Sequence, residues 1–147
     1  MKAFPFMRPV AGKTCLIVGG GEVALRKAEK LYPFGVRLFV CAPECADFSA
    51  FGAKVLREKY RPQLLEGIDL AVAATDDRAV NRRVGEDARA LGIPVSVADR
   101  REECTFLFPA VCLGEELVAG VVSANNDHRA VARAAAAIRE TLKEGKG

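Results

Sequence analysis

The chain has 147 residues, half of them hydrophobic, with no Trp and few aromatics, so it can bury one mainly aliphatic core of domain size. Its formal charge of +3 is spread along the chain without a basic arm or stripe, which gives no footprint for nucleic acid, and no run approaches the ~18 consecutive apolar residues of a membrane span. Five cysteines, at positions 15, 41, 45, 104 and 112, with no CxxC pair among them, exclude a disulfide framework and a zinc ribbon.

The N-terminus, MKAFPFMRPVAGK, carries no signal-peptide h-region, so a cytoplasmic protein is expected. Phe4, Pro5, Phe6 and Met7 are expected to pack as a lead-in on the domain edge. Leu16-Ile17-Val18 reads as a short, fully apolar strand. The helix after it carries Ala24, Ala28 and Leu31 on one face and Arg26 and Lys30 on another, and Pro33 and Gly35 end it. VRLFVC (36–41) is a second strand, 43–52 a connection with one helical turn, and AKVLREKY (53–60) a third, partly exposed strand. RPQLLEG is a short helical crossover, and DLAVAA (69–74) a buried strand. Asp76 or Asp77 caps the next helix, where Val80, Val84, Ala88 and Leu91 recur at helical spacing before Gly92 and Pro94 stop it. PVSVA (94–98) is the fifth strand. Cys15, Cys41 and Cys112 lie inside apolar runs and read as small core residues, whereas Cys104 lies in a loop.

Strands alternating with helices at this spacing predict an α/β fold, a Rossmann-like parallel sheet with helices on both faces, over 1–104. From residue 105 the alternation stops. TFLFPAVCL has a proline in an apolar run and reads as an edge or irregular segment. ELVAGVVS (116–123) is a strand, and Ala130 to about Lys143 a helix with Val131, Ala135, Ile138 and Leu142 on one face. Residues 105–147 are therefore expected to form a small strand-strand-helix appendage. ELVAGVVS and the alanine-rich helix are most easily buried against a second copy, so a homodimer is expected.

The strand-to-helix junction carries chemistry. Gly19-x-Gly21-x-x-Ala24 follows a strand and opens a helix, the G-x-G-x-x-A form of the dinucleotide fingerprint. One glycine makes the tight turn, another admits a pyrophosphate, and the helix N-terminus offers free N–H groups to it. The fingerprint's acidic residue is displaced: the second strand ends Cys41-Ala42-Pro43, with Glu44 following, and no arginine follows to favour a 2′-phosphate. NAD is therefore expected rather than NADP.

LIVGGGEVALRKAEKL, VCAPE, AVAATDDRAVNRRV and IPVSVADRREECTFLFPA, in that order, resemble the precorrin-2 dehydrogenase and ferrochelatase family of siroheme synthesis, and the resemblance runs from about Phe4 to Leu142. It implies NAD-dependent dehydrogenation of precorrin-2 to sirohydrochlorin, with Fe²⁺ as a further substrate if the chain is also a ferrochelatase. A nucleotide-binding regulatory module is the alternative from another class. The resemblance implies cofactor contacts from Gly19, Gly20, Gly21, Glu22, Val23, Pro43, Glu44, Thr75 and Asp76, and catalysis by Asp99. The family's S-x-G-G-x-S-P loop falls at Ser123-Ala124-Asn125-Asn126-Asp127-His128-Arg129, without the glycines or the Ser-Pro. Ser123, His128 and Arg129 are its candidate substrate contacts. The family's C-terminal helical domain is absent, so a short member, or one covered by another chain, is expected.

The residues also stand without the resemblance. Asp99 ends a parallel strand, where ligands of open α/β sheets bind, or else is a turn former. Asp76 is a site residue or a helix cap. His128, the sole histidine, is a surface residue or a ligand of a substrate carboxylate. No second histidine or cysteine stands at ligand spacing from it, so no protein-held metal is expected. Arg78, Arg82, Arg100, Arg101, Arg129 and Arg133 are candidates for substrate carboxylates, with a solvated surface as the other reading.

Overall fold

The structure, a computed structural model, describes residues 3–144 and separates them into two compact units. The larger spans Arg8–Leu107; residues 108–144 together with 3–7 make the smaller.

The larger unit is a five-stranded parallel sheet in the order β3-β2-β1-β4-β5. Its strands are β1 (Thr14–Val18), β2 (Arg37–Cys41), β3 (Lys54–Leu56), β4 (Leu70–Ala73) and β5 (Val95–Val97). Helix α1 (Glu22–Leu31) links β1 to β2, and α2 (Arg78–Ala90) links β4 to β5. The chain leaves β1 towards one edge and β4 towards the other, so right-handed crossovers place α1 and α2 on opposite faces. Side chains alternate accordingly. Leu16, Val18, Cys41, Ala71, Ala73, Val95 and Val97 join Val84 and Ala88 of α2 in one core layer. Cys15, Ile17, Val40 and Val72 take the opposite face, and Ala24 and Ala28 of α1 are equally buried. β1 and β4 are thus covered on both faces, and their continuous apolar runs follow from that. Burial pushes the Cys15 thiol up to about 12, so it behaves as a neutral core group.

Several sequence expectations need correction. The third strand is three residues long, not eight, because Cys41 is the last β2 residue available to pair with it. From Glu58 the chain turns away to a 3-10 turn at Pro62–Leu65. Leu91 does not join the buried face of α2; it is the C-cap residue, 62% exposed, beyond the last helical turn. The phenylalanines of the lead-in pack on little: Phe4 is 87% and Phe6 80% exposed. The units divide after Leu107 rather than after Cys104. Cys104 stays in the larger unit, where its Sγ accepts from the Val97 N–H at 3.1 Å, and Thr105 Oγ1 accepts from the Val95 N–H at 2.8 Å. These contacts stitch the chain back along β5.

The smaller unit is an antiparallel ribbon of β6 (Ala110–Leu113) and β7 (Val118–Val121), with α3 (His128–Glu144) packed against both strands. Pro109 stands just before β6, where no ladder N–H is needed. Cys112 and Ala135 are fully buried between ribbon and helix, where the Cys112 thiol donates to the Ala135 carbonyl at 3.5 Å. Helix α3 starts two residues earlier than its periodicity predicts, because Asp127 Oδ1 accepts from the Ala130 N–H at 2.9 Å and caps it.

Candidate functional site

In the larger unit the strand order reverses between β1 and β4, so the loops after these strands diverge and a crevice opens at their carboxyl ends. The three glycines after β1 divide their work. Gly19 has φ +129°, and a Cβ there would lie 2.2 Å from the Ala74 carbonyl oxygen, so the β1 turn rests directly on the end of β4. Its N–H donates to the Cys41 carbonyl at 2.9 Å, which ties the turn to the end of β2. At Gly20 a Cβ would meet the Glu44 carbonyl oxygen at 2.4 Å and Cys45 Cβ at 2.5 Å, and the Gly20 carbonyl accepts from the Ala46 N–H at 2.8 Å. These two glycines are required by the chain itself.

Gly21 is not. A Cβ there meets no atom within 4 Å. Gly21 is the N-cap of α1, and no side chain caps the helix. Glu22 and Val23 follow, exposed, in the first turn. An open cradle beside uncapped N–H groups fits a pyrophosphate, which needs close backbone approach and the positive end of a helix dipole. Gly21, Glu22 and Val23 would hold it through their backbone N–H groups, on the turn that Gly19 and Gly20 shape.

At the end of β2, Cys41 donates to the Glu58 carbonyl at 3.2 Å, and burial pushes its thiol up to about 11. A neutral buried thiol therefore stands where the fingerprint usually has a carboxylate. Pro43 and Glu44 are exposed beyond it, and Glu44 is the first carboxylate after the strand.

At the end of β4 the structure redistributes the expected roles. Asn81 of α2 is fully buried. Its Oδ1 accepts from the Thr75 N–H at 2.9 Å and from Thr75 Oγ1 at 2.6 Å, and its Nδ2 donates to the Thr75 carbonyl at 3.0 Å. Thr75, half-buried at the β4 end of the crevice, is thereby tied to α2 through both backbone and side chain. Asp76 is the exposed residue beside it. Asp77, not Asp76, caps α2, accepting from the Ala79 N–H at 2.9 Å. Sequence reasoning missed Asn81. Its signal was a polar residue at helical spacing with Val84 and Ala88 on an otherwise apolar face.

Asp99 lies in the turn after β5, the neighbour of β4, with its side chain 39% exposed. Its Oδ1 accepts from Arg78 Nη1 at 2.7 Å, and Arg78 Nη2 bonds Glu103 Oε2. Arg78, a candidate for substrate carboxylates, is thus paired with two carboxylates of the chain itself. The carboxyl ends of β1, β4 and β5 bring Gly21, Asp76 and Asp99 to one edge of the sheet. Among the described residues no group of three or more His, Cys, Asp or Glu could hold a metal ion, and no helix is long and apolar enough to cross a membrane.

The sequence signature of a family described as NAD(P)-binding matches residues 6–110. The chain belongs to this family. The dinucleotide of this NAD(P)-binding protein is the ligand that the Gly21 cradle fits. The chain is 45% identical over 128 residues to siroheme synthase of Chromobacterium violaceum, covering 84% of this chain and 27% of that protein. It is 42% identical over 146 residues to siroheme synthase of Stutzerimonas stutzeri, covering 96% and 31% respectively. The chain thus spans less than a third of the length of these relatives. Its fold is similar to the solved structure of SirC, precorrin-2 dehydrogenase, with a TM-score of 0.72 over 97% of this chain and 71% of that one, at 24% identity.

The remaining candidates of the NAD(P)-binding protein lie in its smaller unit, at the start of α3. Ser123 Oγ accepts from the N–H groups of Asn125 at 3.1 Å and Asp127 at 2.9 Å, which folds the loop back on itself. Asn126, at the second glycine of the family's loop pattern, takes φ +57°, a left-handed conformation that asparagine tolerates. His128 and Arg129 open α3 and are exposed.

Proposed function

We propose that the chain is an NAD-dependent dehydrogenase module that oxidises precorrin-2 to sirohydrochlorin in siroheme synthesis. The observation that carries this reading is the pairing of an open dinucleotide cradle at Gly21 with an accessible carboxylate, Asp99, at the same sheet edge. The siroheme synthases that the chain matches and its likeness to a precorrin-2 dehydrogenase structure support the choice of substrate. Glu44, the one charged side chain in the loop from Cys41 to Ala46, supports NAD over NADP.

Bound at this turn, NAD⁺ supplies the hydride acceptor for a two-electron oxidation. The chain must supply the rest. Gly19 and Gly20 hold the turn, while Asn81 fixes Thr75 at the β4 end of the crevice. Asp99 takes the proton that leaves with the hydride, or orients the macrocycle through its carboxylate. Ser123, His128 and Arg129 are proposed substrate contacts, and Fe²⁺ enters as a second substrate if the module also chelates. The five free thiols suit the reducing cytoplasm. A homodimer formed through the smaller unit completes the proposal.

The test uses purified protein, precorrin-2 and NAD⁺, with Fe²⁺ added afterwards. NADH formation is expected, and Asp99→Ala should slow it by roughly 10²-fold or more if the carboxylate is a general base. Metal insertion without nucleotide would assign ferrochelatase activity. NAD binding with neither reaction would leave a regulatory module and refute the dehydrogenase.

A further inference from the structure

We infer that Arg78 is a positioning residue of this site: braced by Glu103, it holds Asp99 through one carboxylate oxygen and leaves the other available to substrate. The inference rests on the dehydrogenase reading given above. Arg78 is the first residue of α2, directly after the Asp77 cap, so its backbone is fixed to the end of β4. Asp99 belongs to the turn after β5, and Glu103 to the 3-10 turn Arg101–Glu103. One guanidinium therefore joins three segments of chain.

A guanidinium opposite a lone carboxylate prefers the bidentate fork, which occupies both oxygens. Here the fork is split. Nη1 reaches Asp99 Oδ1 at 2.7 Å, while Nη2 is drawn to Glu103 Oε2. Among the described residues, Asp99 consequently accepts side-chain hydrogen bonds through Oδ1 alone. Glu103 can act as a brace because its own segment is pinned. Its carbonyl accepts from Arg89 Nη1 at 2.6 Å, and its N–H donates to the Arg100 carbonyl at 3.1 Å. Arg78 at the start of α2 and Arg89 near its end thus both hold the turn that carries Glu103. A side chain that only stabilised the surface would not need two carboxylates and a second arginine arranged around a proposed proton acceptor.

The experiment compares wild type, Arg78→Ala, Arg78→Lys and Glu103→Gln in precorrin-2-dependent NADH formation, with NAD affinity measured separately by calorimetry. Arg78→Ala should lower kcat by about tenfold or more. Its NAD affinity should stay within about twofold of wild type, because the Gly21 cradle is untouched. Millimolar guanidinium should restore part of that kcat where equal sodium chloride does not. Arg78→Lys should fall between, since one ammonium cannot span both carboxylates as a fork does. Glu103→Gln should give a smaller loss, as the released guanidinium turns both nitrogens to Asp99. Arg78→Ala with the kcat of wild type would overturn the positioning role and leave the dehydrogenase standing. So would equal losses of kcat and NAD affinity without guanidinium rescue, in Arg78→Ala or, should that variant not fold, in Arg78→Lys. Wild type that forms no NADH would overturn the dehydrogenase reading, and this role with it.

Discussion

Strands β1 and β4 of the larger unit are buried on both faces, from Cys15 to Val18 and from Leu70 to Ala73, whereas the β6–β7 ribbon of the smaller unit buries Cys112 and little else. On the outer face of that ribbon, Leu113 is 48% and Val118 49% exposed, although they are cross-strand partners that would suit a core. The larger unit satisfies its apolar surface within one chain. The smaller unit satisfies only the face turned to α3. Substitutions in the first unit should therefore act through folding and through the site that folding builds. Substitutions on the outer ribbon should act through association.

The largest effect is expected at the glycine turn. Gly19→Val places a branched side chain at φ +129° and drives its Cβ into the Ala74 carbonyl. Backbone strain and overpacking together should cost about 3 kcal/mol or more, read as a shift in the denaturant midpoint. Two residues away, Gly21→Asp meets open space and should leave the midpoint almost unchanged. It places a negative charge in the proposed pyrophosphate cradle, so NAD affinity by calorimetry should fall about tenfold or more. If both variants lost stability equally, the third glycine would be structural and the division of work along the turn would be wrong.

This division marks what a sequence can reveal. The fully apolar runs of β1 and β4, the glycine turn and the helical spacing of α2 each express a local rule, and each element formed where the rule placed it. AKVLREKY misled because strand length is set by the partner: β2 ends at Cys41, so pairing stops at Leu56. Thr75 is legible as a residue at a strand end, but its tie to Asn81 is not, since that side chain comes from the next helix. Asp99 was legible as a residue at a strand end. Its split pairing was not, because Arg78 lies far from it in sequence and meets Asp99 and Glu103 only once α2 is packed. Ser123 sits in a loop that leads into His128 and Arg129 at the start of α3; its turn chemistry differs from the family pattern, and composition could not show how that loop closes.

A second, smaller effect tests whether the larger unit is closed by contacts within the chain. Asp69, just before β4, accepts from the Thr14 N–H at 2.9 Å and the Thr14 hydroxyl at 3.0 Å, tying the start of β1 to that of β4. The Thr14 N–H, then its hydroxyl, hold the Asp69 carboxyl below the ordinary carboxylate range, with Lys13 and Arg8 adding weaker attraction. A depressed folded pKa means that the stabilisation is fully present above the unfolded value, roughly 3.9, and is lost as pH falls through the lower folded value. Asp69→Ala should therefore melt at a lower temperature than wild type near neutrality, with the gap closing in acid below about pH 4. A gap that persisted unchanged into strong acid would show that the tie depends on shape and not on the carboxylate.

The smallest effect on folding is expected on the outer ribbon, and it bears on the other half of the comparison. Val118 pairs with Leu113, and Val122, just past the end of β7, is also exposed. A two-stranded ribbon with one covered face is marginal by itself, and α3 covers only the face that carries Cys112. A second copy of the same ribbon is the simplest cover, because two-fold symmetry presents an identical apolar patch to itself. Light scattering of the wild type at micromolar concentration should then give about twice the 15.8 kDa chain mass. Val118→Lys puts a charge at the centre of that patch. In the isolated protomer its ammonium reaches solvent, so the stability of a single chain should change by no more than about 0.5 kcal/mol. In the dimer the same charge would be buried without a partner, so the variant should scatter as a single chain. The concentration dependence of melting separates the two effects: it should be present in wild type and absent in Val118→Lys. A wild type that already scatters at the single-chain mass would remove the dimer. A Val118→Lys dimer as stable as that of wild type would move the interface elsewhere, to the exposed alanines 132, 134, 136 and 137 of α3.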